Sequence, residues 1–207
     1  MNHKNLSYLA LGDSYTIGEG VPVNQTYPAQ LVELLKAKKL DFNNPKIIAV
    51  TGWTTDELQQ GIKAAAIQGE TYDLVTLLIG VNNQYRGRSI DNYKEEFTGL
   101  LDQAIGFAKG NKSHVIVLSI PDWGVTEFAR QQNVNKEKVA QEIDAFNQAQ
   151  KEICQAKGIS FLDITEAYRE NGNLPENQAE DSLHPSGSIY RYWAEKLAGH
   201  IREEVKF

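Results

Sequence analysis

Apolar and polar positions alternate in blocks that predict a regular order of strands and helices. Short apolar runs rich in β-branched residues predict buried strands at residues 7–11, 46–50, 74–79, 114–120 and 159–164. Between these runs, apolar residues recur at helical spacing. The helical sets are Leu31, Leu34 and Leu35; Leu58, Ile62 and Ala65; Phe97, Leu100, Leu101 and Ile105; Val139, Ile143, Phe146 and Ile153; and Tyr192, Leu197 and Ile201.

This alternation predicts an α/β fold. Parallel strands need helix-length crossovers, and strands that are apolar throughout need cover on both faces. We therefore predict a three-layer α/β/α sandwich around a five-stranded parallel sheet, in a single domain spanning residues 1–207. The polar, irregular stretch at residues 170–182 is expected near the working face of the domain.

The composition is typical of a globular protein, and the charge and cysteine count exclude several kinds of partner and site. The 207 residues are 41% hydrophobic and 23% charged, and the formal net charge is -6. An acidic surface disfavours nucleic acid as a partner. Cys154 is the only cysteine, so the chain has no intrachain disulfide and no thiolate zinc site of its own.

Hydropathy gives no indication of a membrane segment. No apolar stretch approaches the ~20 residues that span a bilayer, and the N-terminal residues lack the pattern of a signal peptide. We therefore expect a cytoplasmic protein without stable membrane insertion. The sequence does not indicate the oligomeric state.

The residues that follow each predicted strand are the candidates for function. In open α/β sheets the ligand lies beyond the carboxyl ends of the strands. These positions carry Gly-Asp-Ser-Tyr at 12–15, Thr-Gly-Trp at 51–53, Gly-Val-Asn-Asn at 80–83, Pro-Asp-Trp-Gly at 121–124 and Asp-Ser-Leu-His-Pro at 181–185.

Three of these residues are the types required for nucleophilic catalysis. A serine hydroxyl needs a base to take its proton, and an imidazole works best when a carboxylate fixes its tautomer. Ser14, His184 and Asp181 supply these groups, and the short spacing of Asp181 and His184 lets one turn of chain bring them together. The structural alternatives are a helix-capping serine and an exposed loop histidine. Asp13 is expected to hold the turn rather than to react, and the remaining histidines, His3, His114 and His200, lack a neighbouring carboxylate at useful spacing.

Acyl transfer also needs hydrogen-bond donors for the developing oxyanion. The backbone N–H groups of Ser14 and Gly52 and the side-chain amide of Asn82 are the candidates. Aromatic and amide side chains at the same edge are candidate substrate contacts, namely Tyr15, Trp53, Asn83 and Trp123.

The four blocks GDSY, Gly52, GVNN and DSLH, taken in order, resemble those of the SGNH (GDSL-type) hydrolases. The resemblance implies a flavodoxin-like sheet, a Ser14 nucleophile, a His184 base oriented by Asp181, and an oxyanion hole of Ser14, Gly52 and Asn82. The chain departs from the family pattern at Tyr15, where leucine is usual, and at Asn83, where an acidic residue is usual. These departures bear on substrate preference more than on reaction class.

The predicted function is hydrolysis of a carboxylic ester or thioester without a metal or organic cofactor. The substrate is a small-molecule acyl ester, and small acyl esters, acetylated carbohydrates and lysophospholipids all remain open. The alternative is a catalytically silent domain of the same architecture that binds carbohydrate or phosphate. The chain has no G-x-G-x-x-G, no Walker A pattern and no G-x-S-x-G elbow, which disfavours nucleotide binding and an α/β-hydrolase proper.

Overall fold

The computed structural model describes residues 5–207, and in this part of the chain five strands form one parallel sheet. The strands are β1 (Tyr8–Gly12), β2 (Lys46–Ala49), β3 (Leu74–Leu78), β4 (Val115–Leu118) and β5 (Ser160–Leu162). Their order is β2-β1-β3-β4-β5, and every pairing is parallel. The predicted α/β class and five-stranded parallel sheet are confirmed.

Helices connect the strands and cover the sheet. They are α1 (Ser14–Ile17), α2 (Tyr27–Lys36), α3 (Thr55–Ala64), α4 (Val81–Tyr85), α5 (Ile90–Phe107), α6 (Glu127–Gln131), α7 (Lys136–Lys157), α8 (Thr165–Asn171) and α9 (Gly187–Glu204). Helix α2 packs on α9, while α5 packs on α3 and α7. Along residues 5–207, none of these helices is both long and apolar enough to cross a bilayer.

The depth of burial differs between the central and the edge strands. Every residue of β1, β3 and β4 is buried, as their apolar runs predict. The edge strands β2 and β5 are only partly buried, which corrects the prediction that all five are buried. An edge strand has one neighbour instead of two, so part of its surface stays in contact with solvent.

Two residues of the predicted apolar helix faces lie elsewhere. Tyr192 is 41% exposed, because α9 turns Tyr190, Trp193 and Leu197 toward the core instead. Ala65 is exposed and follows the last residue of α3. The phase of α9 and the end of α3 therefore differ from those inferred from spacing alone.

The ends of β1 and β3 meet at the centre of the sheet. Gly12, the last residue of β1, pairs with Leu78, the last residue of β3. A Cβ atom on Gly12 would lie 2.3 Å from the carbonyl oxygen of Leu78 and 2.1 Å from Oγ1 of Thr16, so only glycine fits here. The segments that follow β1 and β3 therefore lie side by side at the carboxyl edge.

Candidate active site

Ser14 stands at the transition from β1 to α1. It is the first residue of α1, and only 4% of its surface is exposed. Asp13 precedes it as the N-cap, and the Asp13 carboxylate accepts a hydrogen bond of 3.1 Å from the N–H of Tyr15. The tight turn that Gly12 permits and Asp13 caps brings the serine hydroxyl to the edge of the sheet.

Asp13 is fully buried and has an unusual electrostatic environment. Burial raises the pKa of its carboxyl group to about 7, although hydrogen bonds from the backbone at Tyr15, Asp13 and Gly80 oppose the shift. Its second oxygen, Oδ2, is buried without a hydrogen-bond partner among the described residues. These contacts fit the structural role predicted for Asp13, since the carboxyl group faces the protein interior.

The loop before α9 is shaped by its own backbone. Gln178 and Pro185 form an isolated antiparallel bridge, and the N–H of Ala179 donates to the carbonyl oxygen of His184 at 2.8 Å. Ser182 adopts a left-handed conformation with φ of 59°. Its carbonyl oxygen accepts from the N–H of Phe128 at 2.9 Å, which ties the loop to α6. Asp181 and His184 therefore sit on a constrained turn.

The structure brings Ser14, His184 and Asp181 together. His184 Nε2 lies 2.9 Å from Ser14 Oγ, and His184 Nδ1 lies 2.6 Å from Asp181 Oδ2. The imidazole is buried, whereas the Asp181 side chain is 39% exposed. With Asp181 ionised, Nδ1 carries a hydrogen and donates a hydrogen bond to the carboxylate, which leaves Nε2 unprotonated and able to accept a hydrogen bond from the Ser14 hydroxyl.

The ionisation of Asp181 is favoured by its hydrogen bonds. Burial alone would raise the pKa of Asp181. Hydrogen bonds from the His184 side chain and from the N–H groups of His184 and Leu183 outweigh that effect and hold the pKa below its usual value. The carboxylate is therefore charged at neutral pH.

The predicted oxyanion donors Ser14, Gly52 and Asn82 lie on three segments, each of which follows a strand of the sheet. Asn82 belongs to α4, and its Nδ2 donates to the carbonyl oxygen of Trp53 at 2.9 Å, which leaves the second amide hydrogen free of that bond. Gly52 has a φ of 83°, which places it in the left-handed region. Within residues 5–207, the backbone N–H groups of Ser14 and Gly52 donate to no protein acceptor. Both remain available to a bound ligand.

A cavity of about 210 Å³ opens beside Ser14 and His184. Its walls are mostly apolar or aromatic, and Asn82 is the one amide side chain among the described residues that line it. The residues that line it are Ser14, Tyr15, Val81, Asn82, Tyr85, Trp123, Phe128, Leu183 and His184. Such a cavity accommodates a small apolar group next to the serine hydroxyl.

Two of the predicted substrate contacts line this cavity. The Tyr15 ring packs edge-on against the His184 imidazole, with ring centroids 5.5 Å apart. Trp123 is fixed by a hydrogen bond of 2.8 Å from its indole Nε1 to Gln84, whose amide in turn donates to Glu142 at 2.7 Å. The wall formed by Trp123 is therefore held rigidly.

The other two predicted contacts lie outside the cavity lining. Asn83 is fully buried, and its amide group bonds both the N–H of Thr55 at 3.1 Å and the Thr55 hydroxyl at 2.7 Å. Trp53 packs over Gly61, where a Cβ atom would come within 2.1 Å of the indole. Full burial at the start of α3 corrects the expectation that Asn83 faces the substrate. Trp53 is half-buried on the flank of α3 outside this cavity, and its role as a substrate contact stays a prediction.

Sequence reasoning missed several residues of the cavity. Val81 and Leu183 lie inside the recognised blocks, beside Asn82 and His184, and that proximity was the available signal. Tyr85 is 60% exposed and packs edge-on against Trp123, and Phe128 lies on α6. No pattern in the sequence marks Phe128, because its position depends on how α6 folds back over the loop at Ser182.

The described part of the chain contains no candidate metal site among its ionisable groups. Residues 5–207 contain no group of three or more His, Cys, Asp or Glu side chains arranged to hold a metal ion. His114 Nε2 lies 2.9 Å from the carbonyl oxygen of Lys206 and does not line the cavity, and His3 lies outside the described residues. Cys154 is buried, which raises the pKa of its thiol to about 12.

The family follows from comparison of the sequence with known proteins. The model of the GDSL-like lipase/acylhydrolase family matches residues 10–192, and the chain belongs to that family. It is accordingly a carboxylic ester hydrolase. No curated protein matches the chain with significant sequence similarity.

Solved structures share the fold across nearly the whole chain. A lipase/acylhydrolase from Enterococcus faecalis is 17% identical, with a TM-score of 0.76 and 97% of each chain covered. The psychrotrophic esterase EstA from Pseudoalteromonas sp. is 15% identical, with a TM-score of 0.71, covering 96% of this chain and 98% of EstA. The acetylxylan esterase Axe2 from Geobacillus stearothermophilus is 20% identical, with a TM-score of 0.69, covering 98% of this chain and 94% of Axe2.

Proposed function

We propose that this esterase works through an acyl-enzyme on Ser14, with His184 as general base and acid and Asp181 as the group that orients it. The observation that carries the proposal is the position of the imidazole, whose Nε2 lies 2.9 Å from Ser14 Oγ and whose Nδ1 lies 2.6 Å from Asp181 Oδ2. Both distances are hydrogen-bond distances: the first allows Ser14 to pass its proton to the imidazole, and the second allows the carboxylate to orient the ring and stabilise its cation.

In the first half of the reaction, Ser14 Oγ attacks the acyl carbon while its proton moves to His184 Nε2. The carbonyl oxygen becomes negative and accepts hydrogen bonds from the N–H groups of Ser14 and Gly52 and from the Asn82 amide. The tetrahedral intermediate then collapses. The bond to the leaving alcohol or thiol breaks, and His184 returns the proton to that leaving group.

In the second half, water attacks the acyl-enzyme and gives its proton to His184. The second tetrahedral intermediate collapses with cleavage of the bond to Ser14 Oγ, which takes the proton back as the carboxylic acid leaves. Apart from the substrate, every group in these reaction steps belongs to the protein or to water. The proposal therefore requires no metal and no organic cofactor.

The substrate proposed is an ester with a small acyl group. A cavity of about 210 Å³ with the apolar walls Tyr85, Trp123 and Phe128 favours a short acyl chain over a long one. Axe2, which shares the fold, is an acetylxylan esterase, and this is consistent with an acetylated carbohydrate as one source of the ester. Thioesters and lysophospholipids are the competing substrates.

The proposal extends to the organisation of the protein. The proposed single domain spanning residues 1–207 agrees with the continuous five-stranded sheet. We also propose a cytoplasmic location and a small-molecule partner, and the acidic net charge of -6 bears on the choice of partner. The same charge disfavours nucleic acid. Fractionation of cells that express the full chain tests the location.

Active-site labelling tests the chemistry directly. A fluorophosphonate probe should label the wild-type protein at Ser14, and p-nitrophenyl acetate should be hydrolysed. Ser14→Ala and His184→Ala should each lose at least ~10³-fold in turnover. Equal turnover in wild type and Ser14→Ala would reject the acyl-enzyme. An unlabelled, inactive wild type that binds carbohydrate would instead identify a silent binding domain.

A further inference from the structure

The short helix α4 holds the segment that carries Gly52 through two side chains. Asn82 Nδ2 donates to the carbonyl oxygen of Trp53 at 2.9 Å. Arg86, at the C-terminus of α4, donates from Nη2 to the carbonyl oxygen of Gly52 at 2.6 Å. Asn82 and Arg86 are four residues apart, which is the spacing that places two side chains on one helical face. Consecutive carbonyl groups are thus bound from a single helix.

The bound segment is a β-turn whose type determines where the Gly52 N–H points. The N–H of Trp53 donates to the carbonyl oxygen of Val50 at 3.2 Å and closes the turn. Gly52, at the third position, has a φ of 83°, while Thr51 is not among the residues with positive φ in the described chain. This combination defines a type II turn. The central peptide of a type II turn is flipped relative to that of a type I turn, and its N–H belongs to Gly52.

Both sides of the turn are tied down. The Thr51 hydroxyl donates to the carboxylate of Glu19, and the N–H of Glu19 in turn donates to the carbonyl oxygen of Ser14 at 3.0 Å. On the opposite side, Arg86 is the group that binds the Gly52 carbonyl. Loss of Arg86 leaves the Gly52 carbonyl oxygen without its partner, and the bond from Asn82 to the Trp53 carbonyl oxygen is then the remaining side-chain contact from α4 to the turn among the described residues.

Arg86 is itself oriented by Glu57. Its Nη1 donates to Glu57 Oε1 at 3.2 Å, while Glu57 Oε2 accepts from the N–H of Thr54 at 2.8 Å in the capping box of α3. The side chains of Arg86 and Glu57 are 44% and 34% exposed, so solvent screens their ion pair and its contribution to stability is small. The planar guanidinium presents its N–H donors in a rigid arrangement, which suits Arg86 to fix the position of the Gly52 carbonyl more than to add stability.

We propose that Arg86 is a positioning residue that keeps the Val50–Trp53 turn in its type II form, so that the Gly52 N–H faces the oxyanion. The inference rests on the proposed acyl-enzyme mechanism. Arg86 touches no reacting atom. It binds the carbonyl oxygen of Gly52 and acts through the conformation of that residue on the direction of the Gly52 N–H. An oxyanion donor acts in the transition state more than in the ground state, so displacing it lowers kcat with little change in KM.

The test compares Arg86→Ala and Arg86→Lys with the matched control Arg88→Ala, using p-nitrophenyl acetate. Arg88 pairs with Asp56 and Glu96 and contacts neither Gly52 nor Trp53. Arg86→Ala should lose roughly 10- to 10²-fold in kcat with KM within about twofold of wild type. Arg86→Lys should retain part of the activity, millimolar guanidinium should partly restore Arg86→Ala, and Arg88→Ala should match wild type.

A trifluoromethyl ketone inhibitor separates positioning from substrate binding and from folding. Its inhibition constant should rise in Arg86→Ala in step with the loss of kcat/KM, while circular dichroism and the thermal midpoint stay close to those of Arg88→Ala. An active, Ser14-labelled wild type with equal kcat in Arg86→Ala and Arg88→Ala would overturn the role of Arg86 alone. A rise in KM confined to anionic esters would also overturn it, by making Arg86 a substrate contact. A wild type without turnover would overturn the proposed function and this inference together.

Discussion

Asp181 contacts His184 through both of its carboxylate oxygens. Oδ2 lies 2.6 Å from the imidazole Nδ1, and Oδ1 accepts the backbone N–H of the same histidine at 2.9 Å. The carboxylate therefore does two separable things, since one oxygen sets the tautomer of the ring and the other shapes the turn that presents it. A substitution that keeps the contact with the backbone N–H and removes the contact with Nδ1 isolates the role of Asp181 in setting the tautomer.

Asp181→Asn is that substitution. The amide oxygen can still accept a hydrogen bond from the backbone N–H. The amide NH₂ is a donor and cannot accept one from Nδ1, so the imidazole carries its hydrogen on Nε2 and cannot act as a base there. We expect kcat for p-nitrophenyl acetate to fall on the order of 10²–10³-fold, with the thermal midpoint nearly unchanged. The loss should stay below that of Ser14→Ala, because the variant keeps the nucleophile and the imidazole beside it. Asp181→Ala should lose activity and stability together, and wild-type kcat in Asp181→Asn would refute the orienting role.

The buried carboxyl group of Asp13 predicts a pH dependence of stability. Its pKa is about 7 in the folded protein against 3.8 for the free group, because burial disfavours the charged form. Between these values the folded state holds a proton that the unfolded state has lost. The contribution of Asp13 to stability is therefore complete below about pH 4 and is lost as the pH rises through about 7.

Asp13→Asn removes this titration while keeping an oxygen for the N–H of Tyr15. The wild-type thermal midpoint should fall more between about pH 5 and about pH 8 than the midpoint of Asp13→Asn. Other ionisable groups are common to both proteins and cancel in the comparison. Asp13→Ala, which also loses the helix cap, should be less stable than Asp13→Asn at every pH by about 1 kcal/mol. Parallel pH profiles for wild type and Asp13→Asn would show that Asp13 does not titrate in this window.

The central part of this site was predictable from the sequence for physical reasons. Parallel strands deliver the residues after β1 and β3 to one edge, which placed Ser14 and Asn82 together. Asp181 and His184 need only a local turn to meet. These relationships depend on chain direction and short spacing, both of which are visible in a sequence.

The rest depended on helical phase and on contacts distant in sequence. Side chains of successive helical residues point in directions about 100° apart. Asn82 therefore lines the cavity, whereas the next residue, Asn83, points into the protein interior. The contact of Arg86 with Gly52 joins two residues that are 34 positions apart in the chain, so it depends on tertiary packing. Nothing in the residues around Gly52 indicates that contact.

The close approach of β1 and β3 predicts that Gly12 tolerates no larger residue. A Cβ atom there would meet the Leu78 carbonyl oxygen at 2.3 Å, and that oxygen belongs to the sheet and cannot move aside cheaply. Gly12→Ala should lower the free energy of unfolding by about 2 kcal/mol or more. Gly106→Ala is the control, because this glycine lies inside α5 with nothing within 4 Å of a Cβ atom, and it should stabilise the protein by roughly 0.5–1 kcal/mol. Urea denaturation of both variants measures the difference, and similar midpoints would contradict the steric argument.

Trp123 should set the length of the acyl chain that the enzyme accepts. The indole lines the cavity beside Ser14 and is held by its hydrogen bond to Gln84, so we expect it to limit the space that a longer chain would enter. Trp123→Leu should raise the ratio of kcat/KM for hexanoyl over acetyl p-nitrophenyl esters by roughly 10-fold, since each methylene accommodated in an apolar pocket contributes about 1 kcal/mol or more.

Trp53→Leu provides the same change of side chain outside the cavity and should leave that ratio within about threefold of wild type, whatever its effect on stability. The measurement is a series of acyl lengths from acetyl to dodecanoyl for the three proteins. If Trp53→Leu shifts the preference as far as Trp123→Leu does, chain length is governed by general loosening of the fold and not by the wall at Trp123. If neither variant shifts it, the acyl group does not enter this cavity, and the leaving group is its occupant.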